Sequence, residues 1–319
     1  MLLLTGGTGH VGGQIIKHLV HNKTNAVATY RGAEPPETAS SDQPYVTWVK
    51  CDINDAAKLS DLGERYAIKS CIHGAAVSNE AYAFPDPSSA VITNIGATAV
   101  LLETARLQNW DRFILVGTGS VFEKRKWTGA PIPEDAPLEP GNVYSVTKAS
   151  SEMLCKMYRT HYGLSASVVR ISWVYGPPVV ARDATRGPIP SFVIRALRGE
   201  VIHEDGADFS AGFTYIEDVA NGLLAAVAAN QLNEPVYHLS HGLNFSLGEV
   251  ADAISDIVPG ADIKLGPGTL PWTKFTAMRD PLSAQNLRAD AGFEPTFLLD
   301  KGIAQFAKWL RANSNQWSD

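Results

Sequence analysis

The sequence is poor in cysteine, in basic charge and in long apolar runs. Its 3 cysteines, Cys51, Cys71 and Cys155, are an odd number without a Cys-x-x-Cys pair. That excludes a disulfide framework and a thiolate metal site, and predicts buried reduced thiols. Lys and Arg total 27 against 33 Asp and Glu, a net charge of −6, so the surface repels nucleic acid and anionic membrane. No apolar run approaches the length that spans a bilayer, and the opening Met1-Leu2-Leu3-Leu4 meets Thr5-Gly6-Gly7 too soon for the apolar core of a signal peptide. His161, His203 and His238 lack metal-ligand spacing and read as structural or surface residues. Repeats and low-complexity tracts are also missing. The expectation is a cytoplasmic protein with a small-molecule partner, no metal, no nucleic acid and no membrane.

What is present is an alternation of short β-branched runs and amphipathic stretches over 319 residues. Strands are predicted at Leu2–Leu4, Ala26–Tyr30, Tyr45–Cys51, Ser70–His73, Arg112–Val116, Ser165–Ile171 and Val236–Leu239. Helices are predicted at Val11–His21, Asp55–Tyr66, Ser88–Gln108, Val143–Tyr162 and Thr214–Ala229. Strands alternating with helices give βαβ units, hence an α/β fold of the Rossmann type, a doubly wound parallel sheet. After Gly176-Pro177-Pro178 a loop rich in Gly, Pro, Arg and Asp is predicted to run to Pro190, with a helix following to about Gly199. Beyond Ser246 come short helices, a strand near Asp262–Leu265 and a closing helix Leu298–Arg311. The division expected is a dinucleotide-binding domain over 1–175 with 213–241, and a smaller C-terminal substrate-binding lobe from 176–212 and 242–319.

Thr5-Gly6-Gly7-Thr8-Gly9-His10-Val11-Gly12 is a strand end, a glycine turn and a helix start, in that order. Gly6 permits the tight turn, Gly9 removes a side chain where a pyrophosphate approaches, and Gly12 lets the helix pack on the strand. The helix N-terminus then offers free N–H groups to the phosphates. The second strand ends Thr29-Tyr30-Arg31-Gly32, without the carboxylate that would bond a ribose 2′-hydroxyl. A carboxylate would repel a 2′-phosphate, whereas Arg31 pairs with one, so NADP(H) is favoured and NAD(H) is the alternative. Tyr144 and Lys148, four apart at the start of a helix, share one face. A phenol with a pKa near 10 is a poor base at neutral pH, and a neighbouring ammonium stabilises its anion enough for proton exchange. A third hydroxyl stands at the carboxyl end of the fifth strand, either Thr118 or Ser120; the residues alone leave both open.

These motifs resemble the extended short-chain dehydrogenases/reductases, the NAD(P)-dependent epimerase/dehydratase family. The resemblance covers nearly the whole chain, through the glycine turn, Asp52-Ile53, His73-Gly74-Ala75-Ala76, Tyr144/Lys148, Arg170 to Tyr175-Gly176-Pro177, Tyr215-Ile216-Glu217-Asp218-Val219 and Gly292-Phe293-Glu294-Pro295. It implies Thr118 as the third catalytic group, Asp52 and Ile53 at the adenine, Ala75 and Ala76 along the cofactor groove, and cofactor contacts from Thr8, His10 and Val11. It also implies a homodimer through the long helices Ser88–Gln108 and Val143–Tyr162. The chain departs from the pattern at three places. Ala211 stands where nucleotide-sugar enzymes carry a diphosphate-binding Arg, and Ser172 is read as replacing an Asn before Tyr-Gly-Pro. Gly119 and Ser120 replace the acidic pair of the dehydratases. Arg182 and Arg186 are candidate anion ligands, and Lys124-Arg125-Lys126-Trp127 reads as a solvated loop. The function expected is an NAD(P)-dependent interconversion of a secondary alcohol and a ketone on a small polar or sugar-like molecule. The alternatives are a sugar epimerase holding NAD tightly and an inactive cofactor-binding regulatory protein.

Overall fold

The structure is a computed structural model and describes residues 1–32, 44–178 and 187–314. Seven strands form one sheet: β1 (Leu2–Thr5), β2 (Ala26–Tyr30), β3 (Val46–Lys50), β4 (Ser70–His73), β5 (Arg112–Thr118), β6 (Ala166–Ile171) and β7 (Val236–His238). The spatial order is β7-β6-β5-β4-β1-β2-β3, and every pairing is parallel. The order turns back between β1 and β4, the place where a doubly wound sheet opens a crevice at its carboxyl edge.

Both faces of the sheet are covered, so its strands read as continuous apolar runs rather than alternating ones. Successive residues point to opposite sides. Leu2 and Leu4 join Ile72 and Ile114 beneath the helices His10–His21 and Ile216–Ala228. Leu3 joins Val27, Cys71 and Phe113 beneath Ala56–Arg65 and Val143–Tyr162. Each such fully buried Leu or Ile contributes about 1.5–3 kcal/mol over leaving it exposed. Cys51, Cys71 and Cys155 are buried free thiols.

Three expectations need correction. The stretch predicted as one regular helix over Ser88–Gln108 runs from Pro87 to Leu107 with a π-helical turn at Ile92–Gly96. There the carbonyl of Asn94 accepts the hydroxyls of Thr98 (2.6 Å) and Ser151 (2.8 Å), a side-chain substitution in the backbone ladder of the kind that distorts helices. Contrary to the reading of the apolar runs, Pro87–Leu107 is also long and apolar enough, by length and composition, to cross a membrane. It packs instead along Ala56–Arg65 and Val143–Tyr162, with Ala97, Leu101, Leu102 and Ala105 buried, as the core helix of an α/β sheet does. Third, the loop after Pro178 ends earlier than expected, because the helix Pro188–Leu197 already includes Pro190. Proline is tolerated in a first turn, where its missing N–H has no partner to lose.

Beyond the sheet, a further cluster gathers Phe192, Phe209, Tyr215, Val250, Ile303 and Phe306 from the second half of the chain. A short strand, Ile202–Asp205, which was not expected, pairs in parallel with Ile263–Gly266.

Candidate active site

The crevice at the carboxyl edge is a cavity of about 610 Å³, and every residue expected to hold cofactor or do chemistry borders it. Arg182 and Arg186 lie outside the described residues.

At one end the chain leaves β1 and turns on Gly6, whose φ of +76° suits glycine. A Cβ on Gly6 would stand 2.7 Å from the Ala75 nitrogen, and one on Gly12 would stand 2.0 Å from the Gly6 carbonyl oxygen. Neither side chain is possible without displacing backbone. Gly9 begins the helix His10–His21 and provides no side-chain cap, so the first N–H groups of that helix point outward unpaired within it. Such a terminus, with two exposed residues Thr8 and Gly9 beside it, fits a pyrophosphate. His10 turns the other way and its Nε2–H donates to the Gly176 carbonyl (2.9 Å), tying the turn to the segment after β6. Asp52 accepts from its neighbour Asn54 through the backbone N–H (2.9 Å) and the side-chain amide (3.2 Å). Arg31 is exposed at the end of β2 and faces the same cavity.

At the other end stand Thr118, Tyr144 and Lys148. Thr118 closes β5 and accepts the Ser120 N–H (3.2 Å), and its hydroxyl lies close enough to the Tyr144 phenol to lower that group's pKa. It thus serves both as a turn cap and as the hydroxyl beside the phenol, while Ser120 only borders the cavity. Tyr144 opens the helix Val143–Tyr162, whose start is fixed by a reciprocal box between Asn142 and Ser145 and by Glu80, which accepts the Tyr144 N–H at 2.8 Å. One turn on, Lys148 is buried and donates to the Val116 carbonyl at 2.7 Å. Burial lowers its pKa to about 8, with nearby Glu152 acting in the opposite sense. Burial raises the Tyr144 phenol, while the Thr118 hydroxyl and the Arg279 guanidinium pull it back down.

Behind these groups runs a chain of oriented hydrogen bonds. The Ala75 N–H donates to the Thr5 hydroxyl (3.2 Å), which donates to His73 Nδ1 (2.7 Å). His73 Nε2–H then donates to Thr98 (3.1 Å), whose hydroxyl ends on the Asn94 carbonyl (2.6 Å). His73 is held neutral, its pKa lowered to about 3 by burial and by the adjacent Lys148 charge. The Asn94 amide continues to Thr147 (2.9 Å), which donates to the Tyr144 carbonyl (2.8 Å). The cofactor groove and the Tyr144 helix therefore share one rigid polar frame.

Four groups here were not anticipated: Glu80, Asn94, Glu123 and Arg279. Glu123 accepts the Ser145 hydroxyl (3.2 Å) and borders the cavity, its pKa raised mainly by burial. Arg279 borders it too, near Glu123 and Tyr144, and remains charged. Beside Ser172, Trp173 has a left-handed backbone (φ +41°), a conformation that Asn tolerates better than most residues. Among the described residues no cluster of His, Cys, Asp or Glu has the geometry to hold a metal ion. Of the histidines, His238 is buried and accepts from Arg170 (2.9 Å).

A glycine turn at the switch point of a parallel sheet, facing a Tyr/Lys/Thr cluster, defines a dinucleotide-binding enzyme fold. The model of the NAD dependent epimerase/dehydratase family matches residues 2–239, and the chain belongs to that family. It is 28% identical over 82% of its length to the low-salt glycan biosynthesis protein Agl12 of Haloferax volcanii, covering 83% of that protein. To the dTDP-glucose 4,6-dehydratase of Neisseria meningitidis serogroup B it is 26% identical, over 100% of this chain and 95% of that one. The solved UDP-glucose 4-epimerase of Thermus thermophilus, in complex with NAD, superposes with a TM-score of 0.83 at 21% identity, over 98% of this chain and 99% of that one.

The buried Lys148 makes a stability prediction. Its folded pKa of about 8 lies below the ordinary 10.5, so between those values the unfolded chain binds more protons and stability rises with pH. Below pH 8 the buried ammonium costs on the order of 3 kcal/mol, offset in Lys148→Met by the orphaned Val116 carbonyl. Urea unfolding should find Lys148→Met at least as stable as wild type at pH 7, with its relative advantage shrinking as pH rises to 10. A pH-independent destabilisation would contradict this account of the site.

Proposed function

We propose that the protein interconverts a secondary alcohol and a ketone on a compact, sugar-like substrate, using a nicotinamide dinucleotide. The observation that carries this reading is the convergence of Thr118, Tyr144 and Lys148 at one end of the cavity whose other end is the glycine turn. A bound nicotinamide would accept or return a hydride at the substrate carbon. The chain's own part is to place the substrate oxygen and move its proton. The Tyr144 hydroxyl takes or gives that proton, Thr118 holds the oxygen, and the Lys148 ammonium stabilises the phenolate. Lys148 already points at the sheet edge through its bond to Val116, so little reorganisation is needed.

Arg279 adds a positive charge near the reacting end, which favours a substrate bearing an anionic group. Gly119 and Ser120 supply no acid to expel a hydroxyl as water, which weighs against dehydration. The second reading is epimerisation through oxidation and re-reduction, supported by the named activity of the Thermus fold relative. Protein that purifies with bound cofactor and needs none added would favour it.

For the cofactor, the absence of an acid at the end of β2 and the exposed Arg31 support NADP(H), with NAD(H), the cofactor in the Thermus complex, as the alternative. A homodimer is supported by exposed apolar side chains on adjacent helices: Val91 (46%) and Ile92 (58%) on one, Val146 (47%) and Met153 (63%) on the other.

Two outcomes test these assignments. Tyr144→Phe should lower turnover by at least about 100-fold while leaving cofactor affinity within a few-fold; retained turnover would sink the role. Arg31→Ala should weaken NADPH by about 10–100-fold and leave NADH unchanged in calorimetric titration. Equal losses for both cofactors would remove Arg31 as the phosphate reader.

A further inference from the structure

Trp173 combines three properties that a merely structural residue does not need together. It directly follows the stretch where β6 ends, and its backbone lies in the left-handed region at φ +41°, uncommon for any residue but Gly, Asn or Asp. Holding a bulky side chain there costs on the order of 1–3 kcal/mol and persists only where the surroundings enforce it. They do so here. The Trp173 carbonyl accepts the Thr214 N–H at 3.2 Å, and its indole stands edge-on to Phe209 (5.9 Å) and Phe213 (5.7 Å). Gly187 lies in ordinary contact range of the indole, 3.5 Å from where its Cβ would stand.

The strained residue is also a wall. Trp173 and Arg279 both border the main cavity, and both border a second, far smaller one of about 10 Å³, room for about one water. Ala211, Gly212 and Asn244 are among the residues that line that second space, with Asp280 and Leu282 beside them. The backbone at Arg279 is held as well. Its carbonyl accepts the Asn244 amide (2.5 Å), and the next residue, Asp280, accepts from the Thr128 N–H and hydroxyl and the Gly129 N–H, all at 2.8 Å. Trp173 and Arg279 thus stand between the two spaces.

We propose that Trp173 is the specificity-determining residue of this enzyme: with Arg279 it ends the substrate space, so that the site takes a compact substrate with one anionic group and excludes extended ones such as nucleoside-diphosphate sugars. The inference rests on the proposed function for where the substrate sits. Its consequence concerns size, and it is read by binding alone. Arg279 offers the planar donor fork that a carboxylate or a single phosphate oxygen pair fits. Removing the indole joins the space beside Ala211 and Gly212 to the main cavity.

The test is calorimetric titration of the NAD-loaded protein with UDP-glucose as the extended probe. Trp173→Asn and Trp173→Gly both suit a left-handed backbone, so both remove the indole while relieving strain. Trp173→Phe keeps an aromatic wall. The proposal predicts that the Asn and Gly variants bind UDP-glucose at least about tenfold more tightly than wild type, while the Phe variant stays within about threefold of it. Any other pattern, including unchanged affinity across the series, overturns it. The Tyr144→Phe experiment reads turnover and not ligand length, so a failure there leaves this result interpretable, and the reverse holds as well.

Discussion

The site depends on an ammonium placed where water is scarce. Lys148 sits beneath the end of β5 with the Val116 carbonyl as its partner, and the helix that carries it must be held against the pull of that desolvated charge. The counterweight lies one turn further along the same helix. Glu152 is buried and binds Arg170 of β6 through two contacts, 2.9 Å and 2.5 Å, with Lys156 at 2.8 Å on its outer side. Arg170 is fully buried and also donates to the Glu134 carbonyl (3.0 Å) and to His238 (2.9 Å). A buried pair of this kind is weak evidence for net stability, but losing one partner leaves an uncompensated charge and typically costs 3–5 kcal/mol. Its position explains its presence: it clamps the Tyr144/Lys148 helix to the strand beside β5 and places a negative field near Lys148.

From that clamp the geometry propagates. The helix start is set by Asn142, Ser145 and Glu80, which fixes Tyr144 against Thr118. The frame through Thr147, Asn94, Thr98, His73 and Thr5 then ties the same helix to Ala75 and the glycine turn. Binding and chemistry are therefore properties of one connected set of buried polar contacts, and the apolar sheet supplies the rigid support for them.

Much of this was legible from residue order because it is local. The glycine turn must follow a strand and open a helix, and Leu2 to Gly12 satisfies that within a dozen positions. Tyr144 and Lys148 are read from helical spacing, and all seven sheet strands from short apolar runs. What was not legible comes from distant parts of the chain. Glu80 acts on Tyr144 from 64 residues away, and Arg279 arrives in a C-terminal loop with no periodic pattern to mark it. The π turn at Asn94 looked like ordinary helix because one of the two hydroxyls on its carbonyl, that of Ser151, comes from another helix. The left-handed Trp173 was missed because a bulky residue carries no signal for that conformation; only the packing of Phe209 and Phe213 reveals why it is tolerated.

The central claim is that one cavity brings a dinucleotide from the glycine turn to Tyr144. A crystal structure of the protein with bound nicotinamide dinucleotide tests it directly. The account predicts the pyrophosphate on the turn from Gly6 to Gly12 and the nicotinamide ring beside Tyr144 and Lys148. A nicotinamide pointing away from Tyr144, or a dinucleotide bound anywhere else, would contradict it.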